Sequence, residues 1–348
     1  MYTQEDKRMP LSELMSQVNA GDCLAVGGGL SWREPMGALR ELIRNRIRDL
    51  KVVGSAHGID IDLLCGAGAV AVSAESYVGF EQDFGMAPNY RRACESGQVE
   101  VADSCCYTLV QQLRAVIAGV PFMPIRSVQG TSFMKLHPEY QTMTCPYTGD
   151  ELVLVPALQP DVAILHAQYA DSHGNLHIDG PPVADILFAR ASKKVLVTVE
   201  QIISHERLAE KGVTVPYFYV TGTCEVPYGA HPTSCYPFYA YDREHTAIYY
   251  EAAKTGAEFF RKKYLNPFVL DAASNEIIDT ITFKPTGFRP EQVTPVGVAM
   301  TGDGKTAIVA LGRANHVAFV DRKNRKIEDY VLVGERAWNA TLTRDESA

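Results

Sequence analysis

The segment from Gly21 to Pro35, Gly-Asp-Cys-Leu-Ala-Val-Gly-Gly-Gly-Leu-Ser-Trp-Arg-Glu-Pro, limits the possible folds more than any other stretch of the chain. Leu24-Ala-Val26 is a short apolar run, as expected of a buried strand. Gly27, Gly28 and Gly29 follow, and Pro35 stands where a helix can begin, because proline suits a first helical turn. From Met36 to Ile43 the apolar residues recur at helical spacing. Strand, glycine turn and helix in succession open a βαβ unit. Such a turn brings bare backbone N–H groups to a helix N-terminus, which favours a negatively charged ligand. The same glycines also suit a plain tight turn with no ligand.

The chain then repeats the theme. Leu50 to Gly54 reads as a second strand, ending in the small-residue loop Gly54-Ser-Ala-His57-Gly58. Ala69 to Ala74 reads as a third strand, reaching Glu75-Ser76. Helices are expected at Asp60–Cys65, at Pro88–Glu95 with Gly97 closing it, and at Tyr107–Ala118 with Gly119 closing it. Pro121 to Arg126 is extended. Val162 to Leu165 and Lys194 to Val199 are further strands, ending at His166-Ala-Gln168 and Glu200-Gln201, and Thr246 to Lys263 is helical. Short strands alternating with helices predict an open, mostly parallel sheet with helices on both faces, an α/β fold whose ligands bind outside the carboxyl ends of the strands.

Composition narrows the function. The 348 residues suggest about two domains, and 33 basic against 41 acidic residues give a net charge of −8. That balance argues against a general nucleic-acid or anionic-membrane surface. No apolar run approaches the roughly 20 residues of a membrane span, and no signal peptide is legible. Eight cysteines without a Cys-x-x-Cys pair suit a reducing compartment, so a cytoplasmic protein is expected. His166 and His173 with Asp171 have no trusted metal-ligand spacing, and no Cys–His pair suggests a thiol enzyme.

Six pieces in order carry a family resemblance: Gly21-Asp22 through Gly27-Gly28 to Arg33-x-Pro35; Pro121-Phe-Met-Pro124; Asp161-Val-Ala-Ile-Leu-His166-Ala-Gln168; Asp171-Ser-His-Gly174; Glu200-Gln-Ile-Ile203-Ser; and Pro227-Tyr-Gly-Ala-His-Pro232. From about Leu11 to about Tyr264 the chain resembles the α subunits of family I coenzyme A transferases of the glutaconate type. It is also similar to their sister hydrolases, which open a cyclic CoA thioester in steroid-ring breakdown.

The resemblance implies a β-subunit partner in an (αβ)n assembly, acyl-CoA and carboxylic acid substrates, no cofactor beyond coenzyme A as substrate, and a nucleophilic glutamate supplied by the β subunit. Glu95-Ser96-Gly97 imitates that glutamate's turn, but Glu95 ends a helix. Glu75-Ser76 follows a strand but lacks the glycine. The loop equivalent to the nucleophile's holds Ser55-Ala56-His57. The sister hydrolases use an α-subunit glutamate where this chain has Asp103-Ser-Cys105-Cys106. The substrate- and CoA-binding set expected on this basis is Gly27, Gly28, Gly29, Arg33, Gly54, Ser55, Arg126, Gln129 and Gly130. No catalytic residue and no metal ligand is assigned to this chain, and His231 is expected to shape its loop.

Beyond residue 265 the character changes. Phe268 to Ile281 reads as two short strands, followed by further strands from Pro295 to Asp321. Val-Leu-Asp271-x5-Ile-x-Asp-x-Ile aligns with Phe-Val-Asp321-x5-Ile-x-Asp-x-Val, a repeat of 50 residues. Short strands at this period resemble blades of YVTN-type β-propellers. The expected division is therefore 1–265 for the α-subunit-like domain and 266–348 for a partial propeller-like segment. That segment is either fused to the α/β region or packed on it as an added β ribbon. Two functions follow, a CoA-transferase α subunit and a CoA-thioester hydrolase subunit, with a non-catalytic scaffold as a third.

Overall fold

The strand expected at Leu24–Val26 runs through the middle of the main sheet. A computed structural model describes residues 5–270, 281–289, 293, 295–301, 305–321 and 323–333. The chain divides into two compact units, Met1–Asn275 and Glu276–Ala348.

In the first unit the strands are β1 (Cys23–Val26), β2 (Leu50–Gly54), β3 (Val70–Glu75), β4 (Glu100–Val101), β5 (Phe122–Ile125), β6 (Gln141–Thr144), β7 (Glu151–Pro156), β8 (Val162–Ala170), β9 (Leu176–His177), β10 (Lys194–Ile202) and β11 (Gly222–Glu225). The main sheet runs β11-β10-β8-β1-β2-β3-β4, with β9 beside β8. All its pairs are parallel except β8 with β9. The carboxyl ends of β1, β2, β3, β8 and β10 therefore share one edge.

Alternation along the strands builds a core on each face. Leu24, Val26, Val52 and Ile164 pack into one core with the helices Met36–Arg44, Ile59–Gly66 and Arg243–Thr255. Ala25, Val53, Ala163 and Leu165 pack into the other with the helices Cys106–Ala118 and Asp185–Ala191. Gly119 takes the left-handed conformation that ends its helix, with φ 69°. Pro88–Glu95 is helical as expected. Strands β5, β7 and β6 form a separate antiparallel sheet, of which only the extended path from Pro121 is legible in the sequence. The turn-rich residues 141–156 lack a long apolar run, and their buried side chains, Val153 and Val155, are only two.

The second unit contains a four-stranded antiparallel meander, β12 (Pro295–Met300), β13 (Thr306–Leu311), β14 (His316–Asp321) and β15 (Lys326–Leu332), closed over Val309, Leu311, Ala318 and Val320. The later copy of the 50-residue repeat forms β14 and β15. The earlier copy departs from the strand reading where it is described. Residues Arg261–Leu270 are a helix of π type, so Phe268, Val269 and Leu270 are helical, and Asp271–Thr280 lie outside the described residues. The reason is packing. Tyr264, Leu265 and Val269 are buried in the first unit's core, and the Phe268 ring lies tilted against Tyr264 with centroids 4.9 Å apart. Burial outweighs the β propensity of Phe-Val-Leu. A division at residue 265 thus falls inside a helix, ten residues before the end of the first compact unit.

Candidate active site

The turns that follow β1 and β2 meet at the carboxyl edge of the sheet, where the Leu30 N–H donates to Ala56 O at 3.2 Å. Gly28 has φ 75° and directs its N–H to Asp185 Oδ1 at 2.9 Å. A Cβ on Gly28 would stand 2.4 Å from Trp32 O and 2.5 Å from Arg33 O, and one on Gly27 would stand 2.2 Å from Asp185 Oδ1. The close approach that these glycines permit is therefore to the chain's own turn and to Asp185. Gly29 exchanges backbone hydrogen bonds with Trp32, and a Cβ there would meet Ala56 O at 2.9 Å.

Arg33, in the left-handed region with φ 48°, is buried. Its guanidinium donates to Asp185 Oδ2 at 2.8 Å and to the carbonyls of His166 and Pro181 at 3.0 Å each. Charge and hydrogen-bond donors are thus spent on an internal ion pair that locks the β1 turn to β8 and to the helix Asp185–Ala191. Behind it, His166 pairs through Nδ1 with Thr198 Oγ1 and through Nε2 with Glu200 Oε1, both at 2.8 Å, and the Tyr239 hydroxyl donates to the same Glu200 oxygen. Asp171 accepts from the backbone N–H groups of His173 and Asn175 and pairs with His205 at 2.8 Å.

Gly54 ends β2, and its missing side chain makes room for two others. A Cβ there would stand 2.3 Å from Glu75 Oε2 and 2.5 Å from His57 Nε2. His57 Nδ1 bonds Asp60 Oδ2 at 2.5 Å. Glu34 accepts the N–H groups of Gly58 and Asp60 at 3.1 and 3.2 Å. Glu34, His57, Asp60 and Glu75 are all buried. Burial alone would lower the His57 pKa, but the Asp60 and Glu75 carboxylates outweigh it and raise it to about 9. Burial raises Glu75 to about 7, against the pull of His57. Burial and then the neighbouring Asp60 push Glu34 well above the ordinary carboxylate range. With Glu34, His57 and Glu75 all shifted upward, the cluster holds protons at neutral pH.

Two buried trios, Glu34–His57–Asp60 and His166–Glu200–Cys235, bring candidate ligand atoms within 4.8 Å of one another. Their histidines and carboxylates already bond one another or the backbone. Of this cluster the sequence marked His57 only as part of a loop and Glu75 only as a decoy. The i, i+3 spacing of His57 and Asp60 was the available signal. Asp185 offered none, being 157 positions from Gly28.

Ser55 is half-buried, and its carbonyl accepts from Cys106 Sγ at 3.7 Å. Cys106 opens the helix Cys106–Ala118, and the Asp103 carbonyl meets His137 Nε2 at 2.7 Å. Glu95 is exposed and pairs with Arg91 at 2.7 Å. The remaining expected residues lie in the loop that follows β5. Arg126 forms an exposed pair with Asp150 at 2.6 Å, Gln129 donates to Glu151 O at 2.7 Å, and Gly130 has φ 69° in open space. His231 precedes a cis proline, Pro232, and pairs with Asp242 at 2.9 Å.

Comparison with known proteins shows the family. The family described as Coenzyme A transferase matches residues 8–222. The α subunit of glutaconate CoA-transferase from Acidaminococcus fermentans is 31% identical over 272 residues, 73% of this chain and 85% of that one. The crystal structure of that transferase superposes with a TM-score of 0.72 at 30% identity, over 77% of this chain and 90% of the other. The cholesterol ring-cleaving hydrolase IpdA subunit of Rhodococcus jostii is 32% identical over 269 residues, 73% of this chain and 90% of that one. An uncharacterized protein of Archaeoglobus fulgidus is 34% identical over 266 residues, 75% of this chain, and the match spans 59% of that relative's length. No helix among the described residues is long and apolar enough to cross a membrane. By sequence and by fold, the chain belongs to the coenzyme A transferase family and aligns with its α subunits.

Proposed function

We infer that this chain is the α subunit of a heteromeric CoA-transferase that moves CoA between an acyl-CoA and a carboxylic acid, acting in the cytoplasm with a β subunit that supplies the nucleophilic glutamate. The observation that carries the reading is the joint presence of the family's α-subunit sequence and two linked glycine turns at the carboxyl edge of a parallel sheet. In the loop after β2 this chain has Ser55-Ala56-His57, and Glu95 belongs to an exposed helix end.

The chemistry is nucleophilic catalysis. The partner's carboxylate attacks the thioester carbonyl, the C–S bond breaks, and an acyl anhydride and CoA thiolate result. The thiolate attacks the enzyme-derived carbonyl of the anhydride, releasing the first acid and leaving a glutamyl-CoA thioester. The acceptor carboxylate then repeats both steps in reverse. Gly27, Gly28, Gly29 and Arg33, with Gly54 and Ser55, form this chain's side of the cleft. Arg33 holds the turn's shape through Asp185 and the His166 and Pro181 carbonyls. Arg126, Gln129 and Gly130 bind from the loop after β5, where Arg126 is exposed enough to exchange Asp150 for a substrate carboxylate or a CoA phosphate.

Borohydride reduces a glutamyl-CoA thioester. Treating the αβ complex with acyl-CoA and borohydride is expected to modify a glutamate of the partner and leave this chain unlabelled. An adduct on Glu75 or Glu95 would overturn the assignment. CoA release without any acceptor acid, and with no trapped thioester, would place the protein with the hydrolases.

A further inference from the structure

At the carboxyl ends of β1 and β8 lies a cavity of about 410 Å³, inside the range of about 300–1,000 Å³ typical of ligand pockets. Trp32 and Arg33 of the β1 turn, Gln168 of β8, Pro181, Tyr236 and Tyr241 form most of its wall. Trp32 and Tyr236 stand exposed, 48% and 74%.

Two polar side chains of the wall, Arg33 and Gln168, are committed elsewhere. Arg33 is the one Lys, Arg or His among the lining residues, and its donors go to Asp185, His166 O and Pro181 O. Gln168 Nε2 donates to Asp179 O and Tyr236 O, and its Oε1 accepts the Asp179 N–H at 3.1 Å. The remaining charge is the Asp179 carboxylate, beside His177 at 3.1 Å. A carboxylate or phosphate entering here would lose water, find no uncommitted cation in the wall, and face Asp179. An uncharged apolar group meets aromatic faces and displaces water from them.

We propose that this cavity is the acyl subsite, that it takes an uncharged branched or aromatic acyl group of the CoA thioester, and that it selects against dicarboxylic acyl groups of the glutaconyl kind. The proposal deepens the transferase reading by naming the substrate class, but the preference for an uncharged acyl group is a binding property that can be read without turnover.

The test uses the αβ complex carrying Trp338→Phe, so that Trp32 is this chain's only tryptophan. Its emission is titrated with benzoyl-CoA, isovaleryl-CoA and glutaryl-CoA, and kcat/KM is measured for the same thioesters and for acetyl-CoA. The expected result is a Kd at least tenfold lower for benzoyl- or isovaleryl-CoA than for glutaryl-CoA. Tyr236→Ala and Trp32→Ala are expected to lower the benzoyl-to-acetyl ratio of kcat/KM at least tenfold. Ala240→Arg, which adds a cation to the wall, should raise glutaryl-CoA affinity at least tenfold relative to benzoyl-CoA. Equal or tighter glutaryl-CoA binding by the unsubstituted wall would overturn the proposal. So would equal losses for all thioesters, or dissociation of the complex in the Tyr236 and Trp32 variants, which would make this face part of the interface with the β chain. Preferential benzoyl-CoA binding without CoA transfer to any acid would uphold the subsite and defeat the transferase reading. Transfer with glutaryl-CoA as the preferred donor would do the opposite.

Discussion

Glu75 Oε2 lies 3.9 Å from His57 Nε2, beyond hydrogen-bond reach, and among the described residues neither Glu75 oxygen has a hydrogen-bond partner. Both side chains are buried against Gly54, and Asp60 holds the far nitrogen of the imidazole. The pair packs against the end of β2, so its protonation bears on the stability of the fold.

The sign of the pH dependence follows from the raised pKa values. His57 goes from 6.5 to about 9 and Glu75 from 4.5 to about 7 on folding. At these two groups the folded chain therefore binds more protons than the unfolded chain. The stability that His57 contributes is complete below pH 6.5 and is lost as the pH rises through 9. Urea denaturation is expected to show a fall on the order of 1–3 kcal/mol between pH 6.5 and 9. The fall should shrink by at least half in His57→Gln. A denaturation midpoint that stays level or rises across this window would refute the assignment.

Gly28 and Gly130 share a positive φ but differ in surroundings. Gly28→Ala is expected to cost more than the ~1 kcal/mol of the backbone penalty, because its Cβ would overlap the Trp32 and Arg33 carbonyls. Gly130→Ala meets open space and should show the penalty alone. Paired thermal melts compare the two, and equal shifts would mean that the β1 turn can relax.

Asp185→Asn leaves Arg33 buried without its counter-charge. A loss of about 3–5 kcal/mol is expected, as for other broken buried pairs. Arg126→Ala breaks an exposed pair with Asp150, and its stability change should stay within about 1 kcal/mol. If Arg126 holds substrate, its variant raises KM in the αβ complex while the melting curve barely moves. An unchanged KM would return Arg126 to a purely surface role.

The helical segment Arg261–Leu270 makes a test by truncation possible. A chain ending at Leu270 keeps Val269 in the core and the Arg44 bond to Val269 O. A chain ending at Leu265 loses both and should be less stable by about 1.5–3 kcal/mol, the value of one buried aliphatic side chain. Equal denaturation midpoints for the two would show that the segment adds nothing to the core.

What the sequence determined by itself was local. The β1 strand, the glycine turn and the helix after Pro35 were legible because apolar spacing, glycine and proline act within a few residues. The helix ends at Gly97 and Gly119 were legible for the same reason. The parallel sheet followed from the alternation of such units. The family's motifs in order then pointed to the family. Tertiary structure alone decided the rest. Gly28, Arg33 and Asp185 are joined across more than 150 positions, and no local pattern encodes such a partner. Glu75 read only as a residue after a strand that lacks the neighbouring glycine, and burial, against the pull of His57, raises its pKa to about 7. Phe268-Val-Leu270 carries a strand's propensity, yet it is helical because Tyr264, Leu265 and Val269 bury their side chains in the core. In each case the deciding energy comes from desolvation and packing against distant residues, which depend on how the chain is folded together.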